Sequence, residues 1–250
     1  MGGRRWGGRI AMLGAAAAAL IVLPAGASAE MRAVIELFTS QGCSSCPAAD
    51  KLIGEFSKDP TLLPLSLAID YWDYLGWKDT LALPGHGNRQ RAYARVRGDR
   101  DVFTPQAVVN GLVEALGNDR SAVDQAILKS RAVPSVLSVP VRLIVDKDML
   151  TVNAAGGQPG LERAEVWLCP VSKTVTVHIT RGENKDNTLS YHNVVRRWIK
   201  IGEWQGAPAT WHVPVKDFKS DGVDEVAVLL QAGAATAPGA MYGAAMSAVP

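Results

Sequence analysis

Thr39-Ser40-Gln41-Gly42-Cys43-Ser44-Ser45-Cys46-Pro47 decides how this chain is read. Ahead of it, Ala33–Phe38 is a short apolar run with a single acid, Glu36, the pattern of a buried strand. Behind it, Ala49, Leu52, Ile53 and Phe56 fall at i, i+3, i+4 and i+7, which predicts a helix over 46–58 with one apolar face. Pro47 sits in the first turn of that helix, where a missing N–H does little harm. The order of strand, turn, Cys-x-x-Cys and helix sets the Cys43 sulfur near a helix N-terminus. Free N–H groups and the helix dipole favour a thiolate there. The thiolate is the form that attacks disulfides, and Cys46, one turn further on, is placed to attack the resulting mixed disulfide. Two other readings of the pair stand beside this one. It can be a static short-loop disulfide inside a non-catalytic binding module, or a soft-metal clip, since two thiolates suit Cu(I). No His or Met cluster accompanies the pair, and Met31 alone is close in sequence, so neither metal nor cofactor is expected.

Outward from the motif, Leu65–Ile69 reads as a second strand and Asn88–Val96 as a helix ending near Gly98. Gln106–Val109 and Leu112–Leu116 flank Asn110-Gly111, a pair that supports the positive φ angles of a tight hairpin turn. Asp119 can cap a helix running to about Ser130, with Ala122, Val123, Ala126 and Ile127 on its apolar side. After Pro134 the texture changes. Val139, Val141, Leu143 and Val145 alternate with other residues, and Asp146-Lys147-Asp148 turns the chain into Leu150–Val152. Glu165–Cys169, Thr174–Thr180, Leu189–Ile201 and Val223–Leu230 complete a set of closely spaced strands, the signature of an antiparallel sandwich. The last stretch, 232–250, is rich in Ala, Gly and Pro and too broken for a helix.

Thr104-Pro105-Gln106 stands immediately before the hairpin strand. A strand, a Cys-x-x-Cys at a helix start and an X-Pro before the next strand resemble the thioredoxin fold. That resemblance implies a cis Pro105 beside the sulfurs, with exposed backbone on which an extended substrate can pair. More closely, Glu36–Pro47, Asp70–Trp77, Thr104–Gln106 and Tyr191–Arg196 together resemble a family of secreted bacterial thioredoxin-like proteins, catalogued as domain of unknown function 1223. The likeness covers nearly all of the chain after its first thirty residues. The expected fold class is therefore α/β: a thioredoxin-like domain over 30–134, an all-β sandwich-like domain over 135–231 and an Ala/Gly-rich tail over 232–250. The departures from thioredoxin are Gly42 before the first cysteine and Ser44-Ser45 between the two.

Charge and composition exclude other classes. The chain has 250 residues, 48% of them hydrophobic and 20% charged, enough for a sizeable core. Arg4, Arg5 and Arg9 lie in an acid-free leader, and the remainder carries 23 basic against 24 acidic residues, so a polyanion-binding role lacks a driving force. No nucleic-acid partner is expected. Arginines, an apolar run from Ile10 to Leu23 and Ala27-Ser28-Ala29 read as a signal peptide over 1–29, leaving no membrane anchor after cleavage. The expected location is periplasmic or secreted, where paired cysteines stay oxidised. The expected function is thiol–disulfide exchange with protein or small-molecule thiols and a redox partner. Cys43 would be the nucleophile, Cys46 the resolving thiol and Pro105 the shaper of the site.

Glu36 is flanked on its strand face by Val34 and Phe38, and an acid there is expected at a sheet edge or buried near the cysteines. The resemblance to thioredoxin, offset here by one residue in register, implies a buried acid on this strand that accepts a proton from the resolving cysteine. Tyr71 and Trp72 follow a strand directly and, with Thr104, are candidates for binding substrate at the carboxyl end of the sheet. Cys169 reads as a buried, inert thiol and His178 as exposed.

Overall fold

The computed structural model describes residue 2, residues 30–161 and residues 163–250. The expected signal segment falls outside this range apart from residue 2.

The strand before the cysteines is β1 (Ala33–Thr39), buried along its whole length. It pairs in parallel with β2 (Leu62–Ala68) and antiparallel with β3 (Gln106–Val109). Being covered on both faces, β1 and β2 carry apolar runs broken only by Glu36, Thr39 and Ser66 instead of alternation. The helix α1 (Cys46–Phe56) connects them, and α2 (Pro84–Arg97) follows β2. β3 turns through Asn110 and Gly111, with φ of 51° and 73°, into β4 (Val113–Leu116). A side chain at Gly111 would meet the Gly239 carbonyl oxygen, so this turn admits only glycine. Asp119 caps α3 (Arg120–Arg131) by accepting from the Ala122 N–H.

Two faces follow from this frame. Ile35 and Leu37 of β1 pack with Ala49, Leu52, Ile53 and Phe56 of α1 and with Val123, Ala126 and Ile127 of α3. Val34 and Phe38 point the other way, into a core with Leu65, Leu67, Tyr93 of α2 and Cys169.

The remaining strands correct the expected fold class. β7 (Ala164–His178) pairs with β8 (Thr188–Val195), and β8 joins β2 in parallel at Ser66 and Val194. β11 (Glu225–Ala234) and β12 (Ala237–Ala248) extend the same sheet. The outcome is one mixed nine-stranded sheet in the order β12-β11-β7-β8-β2-β1-β3-β4, with β9 (Ile199–Trp204) also on β7. A second sheet of three strands, β10 (Ala209–Pro214), β6 (Met149–Ala154) and β5 (Val141–Asp146), packs Leu150 and Val152 against Val166, Leu168, Val228 and Trp204 of the first. The described residues are mostly β, 41% strand and 19% helix, with three α-helices among them. A thioredoxin-like α/β domain followed by a separate sandwich is not what forms. The strands after residue 134 complete the sheet begun by β1 and β2.

Two local rules explain the difference. Pro170 argues for a break between two strands, yet β7 runs through it. The Pro170 carbonyl accepts from the Arg196 N–H, so its nitrogen faces the same edge, at the point where the partner of β7 changes from β9 to β8. A missing donor costs no ladder bond there. The Ala/Gly-rich stretch becomes strand β12 because small side chains fit a closely covered surface: a Cβ at Gly243 would strike the Val139 carbonyl oxygen.

Candidate functional site

β1 ends at Thr39, and the turn that follows delivers Cys43 and Cys46 to the start of α1. They form a disulfide with Cα atoms 5.4 Å apart. Cys46 is fully buried; Cys43 retains 5% exposure, and Ser44 and Ser45 between them are exposed. Ser45 is the N-cap of α1, but its side chain does not bond a helix N–H; its Oγ lies 3.4 Å from the Cys43 Sγ. That hydroxyl can donate to a sulfur carrying negative charge.

The loop is held from outside by residues remote in sequence. Asn184 Nδ2 donates to the carbonyls of Gln41 and Cys43, both at 2.9 Å. The Ser44 N–H donates to Glu183 Oε2 at 3.2 Å. The Gln41 N–H donates to Asp79 Oδ2 at 2.7 Å, and the Gln41 side chain accepts from Trp77 Nε1. The bonds from Asn184 and to Glu183 and Asp79 fix backbone within two residues of Cys43.

One helical turn beyond Cys46 lies a buried acid that the sequence reading overlooked. Asp50 follows Cys46 by four residues, one helical turn, which puts both side chains on one face of α1. Thr39 Oγ1 donates to Asp50 Oδ1 at 2.8 Å, while Oδ2 is buried without a partner. Burial pushes the Asp50 carboxyl up to about 8, against the pull of the Thr39 bond and with a smaller push from Asp79. Asp79 is itself raised to about 6 by burial, although the N–H groups of Gln41 and Leu81 hold its charged form. The Tyr191 hydroxyl, also buried without a partner, is pushed up by burial and by these two acids. The signal for Asp50 was available, since it continues the Cys46–Ile53 stripe of α1. Asp79, Glu183, Asn184 and Tyr191 come from turns and strands whose approach no local pattern announces.

Glu36 is corrected in place. Alternation along β1 turns it to the face under α2, away from α1. Its carboxylate accepts from Arg89 Nε and Nη2 at 2.6 and 3.1 Å and from the Tyr93 hydroxyl. Gln231 completes this buried cluster, accepting from Arg89 and donating to Tyr93. Glu36 therefore answers a buried arginine; the buried acid on the Cys46 face of α1 is Asp50.

The Thr104–Pro105 bond is cis, and the Pro105 carbonyl accepts from the Gly117 N–H. Trp72 ties this loop to the cysteine turn. Its Nε1 donates to Thr104 Oγ1 at 2.7 Å, and its Cβ lies where a side chain at Gly42 would be tightly accommodated, at 3.2 Å. Tyr71 donates to Gln90 on α2, and Tyr74 stacks on Trp72 with 76% of its surface exposed. The structure thus joins Cys43, Trp72, Thr104 and Pro105 through direct neighbours. Cys169 is buried and free, its thiol pushed up by burial, and His178 is exposed. Among the described residues, no group of three or more His, Cys, Asp or Glu side chains is arranged to hold a metal ion.

Comparison with known proteins places this architecture. The model of a family described as "Protein of unknown function (DUF1223)" matches residues 34–231. The crystal structure of protein AGR_C_4864 from Agrobacterium tumefaciens is similar, with a TM-score of 0.77 and 32% identity over 86% of this chain and 93% of that one. HBP35 of Porphyromonas gingivalis shares the fold more loosely, with a TM-score of 0.58 and 14% identity over 88% of this chain and 76% of that one. No curated protein matches the chain.

Proposed function

The chain belongs to the DUF1223 family, and from that premise we propose that it is a thiol–disulfide oxidoreductase working through Cys43 and Cys46. The observation that carries this reading is the buried, partner-poor Asp50 carboxyl one turn beneath a disulfide at a helix start. An acid on the Cys46 face of α1 can supply and take back the proton that exchange moves, which a static crosslink does not need.

The exchange balances as follows. A substrate thiolate attacks Cys43 Sγ, the sulfur nearer the surface. The Cys43–Cys46 bond breaks, and Cys46 leaves as a thiolate that takes the proton of the Asp50 carboxyl. Substrate is now joined to Cys43 by a mixed disulfide. A second substrate thiolate attacks the substrate sulfur of that bond and expels the Cys43 thiolate, which accepts from Ser45. Two electrons have moved from the substrate dithiol to the protein pair, and the substrate is a disulfide. In reverse, the Cys43 thiolate opens a substrate disulfide, the Asp50 carboxylate takes the Cys46 proton, and Cys46 displaces the substrate. A partner disulfide or dithiol resets the pair.

Trp72, Thr104 and Pro105 form the wall on which substrate rests, with Tyr71 holding the aromatic segment to α2. The substrates in this reading are protein or small-molecule thiols and disulfides. The place of action is the periplasm or the exterior, consistent with the leader composition of residues 1–29. Equilibration in glutathione buffers of graded potential tests the proposal. A reversible two-electron transition confined to Cys43 and Cys46 supports it. A pair that stays oxidised in fully reducing buffer while the protein remains folded refutes it.

A further inference from the structure

A second site lies under α2, on the face of the sheet that carries Glu36. A half-open cavity of about 440 Å³, a volume suited to a small organic ligand, is lined by Arg89 and Arg95 of α2, Trp167 of β7, Trp198 between β8 and β9, and the 235–236 turn between β11 and β12. Its wall is mostly apolar and holds no acidic side chain.

The polar groups around it are fixed before any ligand arrives. Arg89 is 8% exposed; its Nε and Nη2 are taken by Glu36, Tyr93 and Gln231, and Nη1 takes part in none of those bonds. Its guanidinium lies 4.2 Å over the Trp198 ring, and Trp198 meets Trp167 edge to face at 6.1 Å. The indole Nε1 of Trp198 is buried without a hydrogen-bond partner. Charge decides what the cavity can hold. Glu36 neutralises Arg89, whereas Arg95 enters no salt bridge among the described residues and only reaches across to the Thr236 carbonyl at 3.5 Å. The cavity therefore offers a spare positive charge at Arg95 beside the indole side chains of Trp167 and Trp198.

We infer that this cavity binds a small anion with a flat apolar body, an aromatic carboxylate or sulfonate. The ring system lies against Trp167 and Trp198, and the anionic group faces Arg95. Neither cysteine lines the cavity, so this inference stands or falls separately from the redox reading.

Calorimetric titration of the whole protein with three probes of one shape tests it: naphthalene-2-carboxylate, 2-naphthalenemethanol and 2-naphthylmethylammonium. The carboxylate is expected to bind at least about tenfold more tightly than the alcohol, a difference of ~1.4 kcal/mol, and the ammonium more weakly than either. Arg95→Glu should weaken carboxylate binding by about tenfold or more, Arg95→Lys by no more than about threefold, and Lys129→Glu, the same charge change on α3, not at all. Circular dichroism checks that each variant is folded. Absence of carboxylate binding, equal affinity for carboxylate and alcohol, or equal effects of Arg95→Glu and Lys129→Glu would overturn the inference.

Discussion

Asp50 stands one helical turn beyond Cys46 on α1, its carboxyl buried and bonded on one side alone, to Thr39. A raised carboxyl pKa is a stability statement. Between the unfolded value of 3.8 and the folded value of about 8, the folded protein holds a proton at Asp50 that the unfolded chain has lost. Stability from this group therefore falls as pH rises through that window and levels off above it. Asp79 acts in the same sense up to about 6, and His86, whose buried ring is lowered from 6.5 to about 4, acts in the opposite sense below 6.5. Between pH 6.5 and 8 Asp50 dominates these three. Urea unfolding of the oxidised protein should lose about 1.4 kcal/mol per pH unit there, and Asp50→Asn should abolish most of that slope. A variant with the wild-type slope would place the titration elsewhere.

The three cysteines should differ in reactivity once Cys43 and Cys46 are reduced. Cys43 keeps some exposure and a hydroxyl at its sulfur; Cys46 and Cys169 are fully buried. Timed alkylation at neutral pH, read by peptide mass spectrometry, should label Cys43 first and Cys169 last. Equal rates at Cys43 and Cys46 would contradict the roles assigned to them.

Much of this site was legible in the sequence, and the limits were physical. The helix stripe of α1, the Asn110-Gly111 turn and the Asp119 cap are local rules, and each holds. Glu36, expected at a sheet edge or buried near the cysteines, is buried, but Ile35 and Leu37 are the β1 residues under α1, and alternation along the strand does not say which face each helix covers. The sheet was misread because alternation in β5 and β7 reports a half-buried strand but not which strand it joins. The single β2–β8 bridge that fuses both halves, Ser66 with Val194, leaves no mark on composition or period. The Asn184 clamp arrives from a turn 141 residues beyond Cys43.

That clamp gives a third expectation. Asn184→Ala removes two buried hydrogen bonds to the cysteine turn and should cost about 1–2 kcal/mol in thermal or urea unfolding. It should also raise the rate at which dithiothreitol opens the disulfide, because the turn is freer to move. Unchanged opening would confine Asn184 to stability.

Trp72→Phe keeps an aromatic ring beside Gly42 but removes the bond to Thr104, a loss of roughly 0.5–1.5 kcal/mol. Exchange with a disulfide-bonded peptide should slow by several-fold, while exchange with glutathione, which needs little of the wall, should change less. Equal slowing for both substrates would argue against a substrate-binding role for this loop.

The most direct test of the redox assignment is capture of the mixed disulfide. Cys46→Ser leaves Cys43 able to attack and unable to be released by an internal thiol. Incubated with glutathione disulfide and analysed whole and after digestion, this variant should carry one glutathionyl group, on Cys43, and dithiothreitol should remove it. Cys43→Ser, with Cys46 buried, should carry little or none. A folded Cys46→Ser protein that acquires no adduct at Cys43 would contradict the exchange mechanism and leave the Cys43–Cys46 bond a structural crosslink.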